Sequence, residues 1–277
     1  MKSDRPLRFI TLNTWKNDGD YAARVAAMTT GLRLLEPDVV LLQEVFRLAD
    51  GTMDTARALA GALGLALAYA PARTKLRRWH GQDVESESGL AVLARGRLAG
   101  IERVPLPSDE HGGERIALLV NAVLAAGAHV LVGCVHLSHL RDDAARRRQQ
   151  LETILAHPRW RTPAHMRILG GDFNAPAEAS EVRWLGEHHD LVITDVFGVA
   201  TRRQPTHPMP SRVDRAGRSI DFLFTVTPRG HPSPVVTLAG IALDNPVDGV
   251  WASDHAAVVA RVECPASFRS SPGHVPV

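Results

Sequence analysis

Polar side chains able to bind a metal ion or a phosphate occur at the ends of apolar segments of this sequence. Five segment ends carry them: Asn13, Gln43 with Glu44, His136, Asp172 with Asn174, and Asp254 with His255. A sixth residue, Asp221, lies inside the apolar segment 220–224. A carboxylate in so apolar a strand requires a partner, because burying it unpaired is energetically costly.

As a set these residues indicate a catalytic or metal-binding site, although each residue alone more often has a structural role. A single Asn or Asp at a strand end usually forms a turn, and a single His is more often packed or exposed. Together the oxygen donors suit Mg²⁺ or Mn²⁺, and glycines at 170 and 171 allow close backbone approach. The sequence has neither a cysteine cluster nor a His-Glu-x-x-His motif, which disfavours zinc.

Apolar periodicity predicts an alternation of strands and helices around these residues. Helices are predicted over 20–35, 54–63, 142–156 and 178–187, and strands over 7–14, 38–43, 90–94, 116–124, 129–135, 166–169, 219–225, 235–242 and 256–262. The segments 71–82, 105–115 and 201–218 are interpreted as irregular loops. Because strand ends in an α/β protein converge on one edge of a sheet, the polar residues are expected to form one site.

Composition places the chain among globular proteins. It has 277 residues, 45% of them hydrophobic and 22% charged, so it can bury a sizeable core and is not intrinsically disordered. Two cysteines exclude a disulfide scaffold. The net charge is +2, although nearly all of the 32 basic residues are arginines, so composition gives only mild support to a polyanionic partner.

The stretch 116–140 holds no charged residue apart from histidines and is long enough to span a bilayer. Polar residues and the Ala-Ala-Gly-Ala sequence at 125–128 interrupt it, which indicates two strands joined by a turn and no transmembrane segment. No signal-peptide pattern opens the sequence, so we expect a cytoplasmic protein. We also expect a single catalytic domain over 1–263, a loose tail over 264–277, and a monomer in preference to an oligomer.

Six motifs resemble the ordered motifs of the endonuclease/exonuclease/phosphatase superfamily. They are Leu-Asn-Thr at 12–14, Pro-Asp-Val-Val-Leu-Leu-Gln-Glu-Val at 37–45, Val-His-Leu at 135–137, Gly-Gly-Asp-Phe-Asn-Ala at 170–175, Ser-Ile-Asp-Phe-Leu-Phe at 219–224 and Ser-Asp-His at 253–255. They occur in the family's order and span nearly the whole chain. The resemblance implies an α/β fold, a four-layer α/β/β/α sandwich in which two mixed β-sheets pack face to face beneath outer helices.

The same resemblance implies hydrolysis of a phosphoester by in-line attack of water, with a divalent metal ion. Glu44 would be the principal ligand of Mg²⁺ or Mn²⁺, and Asn13 and Asp254 would complete or support the site. Asp172 and Asn174 would orient the nucleophilic water and hold the phosphate.

Two histidines complete the implied machinery. His255 would act as a base or a phosphate ligand, with Asp221 fixing its tautomer and raising its basicity. His136 would contact the phosphate from the other side as a donor or general acid. Asn13 and Arg78 are further predicted substrate contacts, so the expected partner is a phosphoester, and nucleic acid is a possible form of it.

Details of the motifs resemble the pancreatic-type deoxyribonuclease and bacterial sphingomyelinase branches more than the abasic-site endonuclease branch. The sequence Leu-Asn-Thr-Trp-Lys at 12–16 departs from the abasic-site pattern, and His136 stands where that branch has a tyrosine. In the deoxyribonuclease branch a second carboxylate pairs with that histidine, and Glu87 or Glu85 is its predicted counterpart.

Three functions stay open at this point. A phosphoesterase acting on a small or soluble phosphodiester or phosphomonoester is the first, and a nuclease is the second. A non-catalytic binding module on the same fold is third, since every matched motif position is intact. Arginines that could form a phosphate-binding rim lie at Arg73, Arg77 and Arg78 and at Arg202, Arg203, Arg212, Arg215 and Arg218, whereas those at 146–148 are typical of a solvated helix face.

Overall fold

Two β-sheets of six strands each form the centre of this protein. The computed structural model describes residues 5–124, 127–200, 203–209 and 217–265, apart from the side chains of residues 199 and 200. Both sheets mix parallel and antiparallel pairs, and helices pack on their outer faces. The predicted four-layer α/β/β/α sandwich is therefore confirmed.

The first sheet carries two helices on its outer face. Elements are numbered in chain order, and this half contains β1 (Leu7–Asn13), α1 (Tyr21–Leu35), β2 (Val39–Leu48), α2 (Thr55–Leu63), β3 (Ala66–Trp79), β4 (Gln82–Ala94), β11 (Val235–Ala242) and β12 (Ala257–Glu263). The strand order is β11-β12-β1-β2-β4-β3. Helix α1 begins where the Asp20 carboxylate accepts the Ala23 N–H, and it ends at Glu36, whose φ is 45°.

The second sheet has the order β5-β6-β7-β8-β10-β9. Its half of the molecule contains β5 (Gly96–Leu106), β6 (Arg115–Leu124), β7 (His129–His136), α3 (Ala144–Ala156), β8 (Met166–Asp172), α4 (Ser180–Arg183), β9 (Leu191–Asp195), α5 (Val196–Ala200) and β10 (Asp221–Pro228), with single 3-10 turns at Pro158–Arg161 and Trp184–Glu187. The strands β6 and β7 occupy the uncharged stretch at 116–140. None of the helices in the described ranges is long and apolar enough for a membrane span.

The core lies between the sheets and on their outer faces. Alternate residues of a strand point to opposite faces, so Phe9 packs between the sheets while Ile10 packs under the helices of the first sheet. Leu118 of β6 meets the inner layer in the same way, and Leu119 packs on the outer face. Because both faces are covered, these strands consist of nearly continuous apolar residues.

Strand direction explains why the polar motif residues meet. The strands β1 and β2 run parallel, with Asn13 beside Gln43, and β7 and β8 run parallel, with His136 beside Asp172. Strand β10 runs antiparallel to β8 and places Asp221 beside Asp172. The ends of these strands therefore share one edge of the sandwich.

Several predicted elements were wrong. The segment 71–82 is not an irregular loop, because β3 and β4 form one long hairpin across it. Strands β5 and β9 were not predicted, and Asp221 opens β10 rather than lying inside a strand. The helix predicted over 178–187 is one short α-helix followed by a 3-10 turn. The part of the predicted tail from residue 266 onwards, and Arg202, Arg212 and Arg215, lie outside the described residues.

Candidate active site

A cavity of about 690 Å³ opens at the edge of the sandwich where the strand ends meet. Almost all of the predicted site residues line it: Asn13, Glu44, Arg78, His136, Asp172, Asn174, Asp254 and His255. Asp221 is fully buried and contacts His255 from behind. The structure thus brings together residues that are up to 242 positions apart, as the distance between Asn13 and His255 in the chain illustrates.

Asp172, at the end of β8, is the centre of the hydrogen-bond network. Its Oδ2 accepts from Asn13 Nδ2 (3.0 Å), and its Oδ1 accepts from the backbone N–H of Asn174 (2.8 Å). The second bond closes a turn in which Asn174 has a φ of 53°, a conformation that Asn tolerates better than most residues. His136 Nε2 and His255 Nε2 lie 3.5 Å and 3.8 Å from Asp172 Oδ2.

Asp221 is the partner of His255. His255 Nδ1 donates to Asp221 Oδ2 at 2.9 Å, which leaves Nε2 of the ring facing the cavity side where Asp172 lies. The Thr206 hydroxyl accepts the backbone N–H groups of Ile220 (3.1 Å) and Asp221 (3.3 Å) and so positions the start of β10. The hydrogen bond with His255 gives Asp221 the partner that a buried carboxylate requires.

The two cavity histidines carry opposite pKa shifts. Burial lowers the pKa of His136 well below its ordinary value, and the charges of Arg115 and Lys16 lower it further. Burial also acts to lower the pKa of His255, but the carboxylates of Asp221, Asp172 and Asp254 outweigh it and raise that pKa to about 10. At neutral pH His136 is therefore neutral and His255 is an imidazolium.

The carboxylate of Asp172 is also shifted. Burial, followed by the negative charge of Asp221, raises the pKa of Asp172 above its ordinary value, although His255 and Asn13 act in the opposite direction. For Asp254, burial acts to raise the pKa, but the contacts with His207 and His255 prevail and lower it. Asp172 is thus the more basic of these two carboxylates.

A β-bulge positions Glu44. The register of β2 against β4 shifts between Leu42 and Val45, and Glu44 there has a φ of 55°. A bulge re-aims a side chain that regular pleating would send elsewhere. Glu44 consequently lines the cavity, where Lys16 Nζ lies 2.8 Å from its Oε1.

Ser253 joins the first and last motifs. Its hydroxyl donates to the backbone carbonyl of Asn13 (2.6 Å) and accepts the backbone N–H of His255 (3.1 Å). The side chain of Asn13 is also fixed, because its Oδ1 accepts the Trp15 N–H (3.0 Å). Asp254 lies between Ser253 and His255 in the chain, and the contacts of these two neighbours hold it on the cavity wall.

The donors around the cavity suit a hard divalent cation. Two groups of side chains place three ligand atoms within 4.8 Å of one another, His207, Asp254 and His255 in one and Asp172, Asp221 and His255 in the other. Of the predicted metal ligands, only Asp254 belongs to such a group among the described residues, whereas Glu44 and Asn13 line the same cavity. The carboxylate and amide oxygens, without a thiol, fit Mg²⁺ or Mn²⁺.

Several residues that line the cavity were not predicted from the sequence as site residues. The ring of His207 packs against that of His255 with centroids 4.4 Å apart and planes tilted by 37°, and His207 Nε2 lies 3.6 Å from Asp254 Oδ2. Arg115, Lys16 and His139 also line the cavity, and Arg115 Nη2 donates to His139 Nδ1 at 2.7 Å. Of these residues, His139 had the clearest signal in the sequence, because it is the second histidine of His-Leu-Ser-His at 136–139.

The predicted carboxylate partner of His136 was wrong. Glu87 forms an ion pair with Arg47 (3.8 Å) and accepts from the Tyr69 hydroxyl (3.4 Å), and neither Glu87 nor Glu85 lines the cavity. The register of β4 causes this, since it places Glu87 opposite Arg47. The carboxylate next to His136 is that of Asp172.

Comparisons with known proteins agree with this geometry. A model of the endonuclease/exonuclease/phosphatase family matches residues 10–259. No curated protein matches the chain in sequence.

Similar solved structures include D. rerio TDP2 complexed with single-strand DNA product, which is 18% identical with a TM-score of 0.69, covering 93% of this chain and 98% of that one. An endonuclease/exonuclease/phosphatase from Bacteroides vulgatus is 20% identical with a TM-score of 0.72 (94% and 99% covered). A third, from Beutenbergia cavernae, is 25% identical with a TM-score of 0.68 (94% and 72% covered). Likeness at this level shows a shared fold. Because the family model spans most of the sequence, the chain belongs to the endonuclease/exonuclease/phosphatase family, whose members are typically hydrolases of phosphoesters that use divalent metals.

Proposed function

We propose that this protein is a divalent-metal-dependent phosphoesterase that hydrolyses a phosphodiester or a phosphomonoester by in-line attack of water. Residues 1–263 would carry this activity as a single catalytic domain. The observation that supports the proposal best is the position of two histidines beside Asp172 at one end of the cavity. The Nε2 atoms of His136 and His255 lie 3.5 Å and 3.8 Å from Asp172 Oδ2. Glu44 and Asp254 line the same cavity.

Asp172 orients and activates the water. Hydrogen bonds from Asn13 and the Asn174 backbone fix both of its oxygens, so the carboxylate presents one direction to the cavity. Burial raises its pKa, as does the charge of Asp221, which makes Asp172 a better proton acceptor than an exposed aspartate.

His255 holds the phosphoryl group. Its pKa, raised to about 10 against the effect of burial by Asp221, Asp172 and Asp254, keeps the ring protonated at neutral pH. A charged donor placed where negative charge develops stabilises the transition state. The role of phosphate ligand is therefore favoured over that of base, and the adjoining ring of His207 restricts the orientation of His255.

His136 and Asn174 contact the phosphate from the side of the second sheet. Since burial lowers the pKa of His136, its ring is neutral and donates a hydrogen bond rather than a proton. Asn174 gives one amide proton to the Leu137 carbonyl (3.1 Å), which leaves the other for the substrate.

Glu44, Asn13 and Asp254 would hold Mg²⁺ or Mn²⁺. When bound, this ion polarises a phosphoryl oxygen and stabilises the leaving oxygen. The oxygen donors of these three side chains support the choice of a hard cation. Lys16 balances the charge of Glu44 and keeps its carboxylate at the cavity wall.

The substrate is proposed to be small or soluble, and a nuclease is the second candidate. A cavity of about 690 Å³ is of the size that small-molecule sites have. In favour of the nuclease, basic side chains line the same cavity, and the D. rerio TDP2 of similar fold holds a single-strand DNA product. A binding module without catalysis is disfavoured, because the motif side chains are present and hydrogen bonds join Asn13 to Asp172 and His255 to Asp221.

Hydrolysis of bis(p-nitrophenyl) phosphate tests the proposal. We expect turnover with Mg²⁺ or Mn²⁺ and its loss in excess EDTA. His255→Gln should lower kcat by about 10²-fold or more, while the exposed His231→Gln, a matched control, should keep the wild-type rate. Turnover that survives both EDTA and His255→Gln would refute the proposal.

A substrate panel separates the two candidates. Plasmid and single-stranded DNA, nucleotides and phosphorylated metabolites are each incubated with the protein and Mg²⁺. Intact DNA beside rapid turnover of a small phosphoester favours the first candidate. Cleavage of DNA that weakens steeply with added salt favours the nuclease.

A further inference from the structure

A row of basic residues lies on the cavity side of β3. Arg73, Lys75 and Arg77 alternate along the strand, so their side chains share one face. All three line the cavity, as do Leu76 and Arg78, whereas Thr74 does not. We call Arg73, Lys75 and Arg77 the basic row.

The basic row has no carboxylate partner in the parts of the chain that the structure describes. None of its three side chains, nor Arg115, has a carboxylate oxygen within the 4.0 Å of an ion pair. The cations also act on one another: burial lowers the pKa of Lys75, and the charges of Arg73, Arg77, Lys16 and Arg115 lower it further. Clustered like charges of this kind attract an anion.

Specific contacts hold the basic row in place. Arg77 Nη1 donates to Ser86 Oγ (2.8 Å), and its Nη2 donates to Ser88 Oγ (2.9 Å). The Arg73 guanidinium rests on Gly113, where an added Cβ would lie 1.9 Å from Arg73 Nη2. Arg73 therefore bridges β3 of the first sheet and the loop before β6 of the second.

Arg115 connects the basic row to the catalytic end of the cavity. Its Nε is buried and has no hydrogen-bond partner among the described residues. Arg115 lines the cavity; burial and the charge of Arg73 lower its pKa, whereas the charges of Asp172 and Glu44 act to raise it. A buried donor without a partner is costly unless a ligand satisfies it.

An exposed, solvated edge strand is the plain alternative. Edge strands often carry charged residues, which prevent pairing with other chains. Arg73 and Arg77, however, are only partly exposed, and hydroxyls and a glycine backbone fix them beside a cavity. A charge that only blocks aggregation needs none of these contacts.

We propose that Arg73, Arg77 and Arg115 form a subsite for a second phosphate group of the substrate. The substrate then carries at least one phosphate besides the one that is hydrolysed, as a nucleic-acid strand or a small bisphosphate does. Paired guanidinium donors match phosphate oxygens in charge and geometry. This subsite rests on the proposed function, because the phosphate that it complements is the one bound at His136 and His255.

Binding of thymidine nucleotides to the full chain tests the subsite without turnover. Calorimetry in EDTA compares thymidine 3′,5′-bisphosphate with thymidine 5′-monophosphate, and we expect the bisphosphate to bind at least about tenfold more tightly. Arg73→Gln and Arg77→Gln should each reduce this ratio to below about threefold, and Arg77→Lys should recover part of it. Arg97→Gln, an exposed arginine of β5 outside the cavity, is the matched control and should keep the ratio.

The oligonucleotide (dT)6 distinguishes the two sources of the second phosphate. Tighter binding of (dT)6 than of the bisphosphate indicates a continuous strand, and equal binding indicates a small bisphosphate. Equal affinity for the mono- and bisphosphate, or an equal loss of the ratio in Arg97→Gln, would overturn the subsite. Preference for the bisphosphate in a protein that hydrolyses no phosphoester would instead refute the proposed function and leave the subsite standing.

Discussion

The floor of the cavity, where the strand ends meet, differs from its rim, which Arg73 and Arg77 of the basic row form, in the partners of the charged side chains. In the floor each charged side chain has a partner: Asp172 binds Asn13, Asp221 binds His255, and Glu44 binds Lys16. In the rim, within the described ranges, Arg73 and Arg77 lack any carboxylate partner. A paired network fixes geometry, as catalysis requires, whereas unpaired cations leave donors for a ligand. The difference predicts chemistry in the floor and recognition in the rim.

Within the floor, His136 and His255 also differ, in the charged neighbours of their rings. Both are buried, yet the pKa of His136 falls while that of His255 rises to about 10. Burial acts in the same direction on both rings. Arg115 and Lys16 stand near one, and three carboxylates stand near the other, so the neighbours decide the charge of each ring.

The largest effect is expected in the centre of the floor. Asp172→Asn removes the proton acceptor but keeps the shape of the side chain, so kcat should fall by about 10³-fold. The exposed Glu110→Gln is the matched control and should keep kcat. Steady-state rates on bis(p-nitrophenyl) phosphate check this, and a similar kcat for both variants would place the chemistry elsewhere.

Asp221→Asn is expected to lower kcat by about 10²-fold and to change its pH dependence. Because Asp221 is the leading cause that raises the pKa of His255, its loss should lower that pKa from about 10. The imidazolium is present below its pKa and lost above it, so the fall in kcat at alkaline pH should begin at lower pH in the variant. Profiles of kcat against pH measure this, and superimposable alkaline limbs would show that His255 is not the charged donor.

Substitutions in the rim are expected to act on binding. The double variant Arg73→Gln/Arg77→Gln should raise KM for a substrate with two phosphates by about tenfold and change kcat much less. The salt dependence of kcat/KM should also weaken, since fewer cations contact the substrate. A fall in kcat as large as that in Asp172→Asn would erase the distinction between rim and floor.

The smallest effect is expected at Arg78, for which the sequence predicts a substrate contact. Its side chain is 69% exposed and lies 3.4 Å from Asp83, and it follows Arg77 directly on the strand. Arg78→Gln should change KM by less than about threefold, because an exposed ion pair contributes little. An effect larger than that of Arg77→Gln would show that Arg78, which also lines the cavity, is the more important substrate contact of the two.

The floor is more predictable from the sequence than the rim, for physical reasons. Parallel strands bring their carboxyl ends to one edge, so strand order along the chain is enough to predict that motif residues such as Asp172 meet. Strand β3 was missed because its charged residues break the apolar alternation that marks a strand. Arg115 and His207 belong to no motif, and their place in the cavity depends on tertiary packing.

The left-handed conformation of Glu44 was equally hidden. Nothing in the sequence Gln-Glu-Val at 43–45 marks a bulge, since the register shift arises only when β2 pairs with β4. The same pairing sends Glu87 to Arg47, which is why the predicted partner of His136 was wrong. Register is a property of two strands, and a single segment does not reveal it.

The most direct test of metal-dependent phosphoester hydrolysis in this cavity is a Mg²⁺ titration of kcat/KM for wild type and Glu44→Gln. Wild type should be inactive in EDTA and recover fully as Mg²⁺ is restored. Glu44→Gln should need about 10- to 100-fold more Mg²⁺ for half-maximal activity. Identical Mg²⁺ dependence in the two proteins, or full activity of wild type in EDTA, would contradict this account of the site.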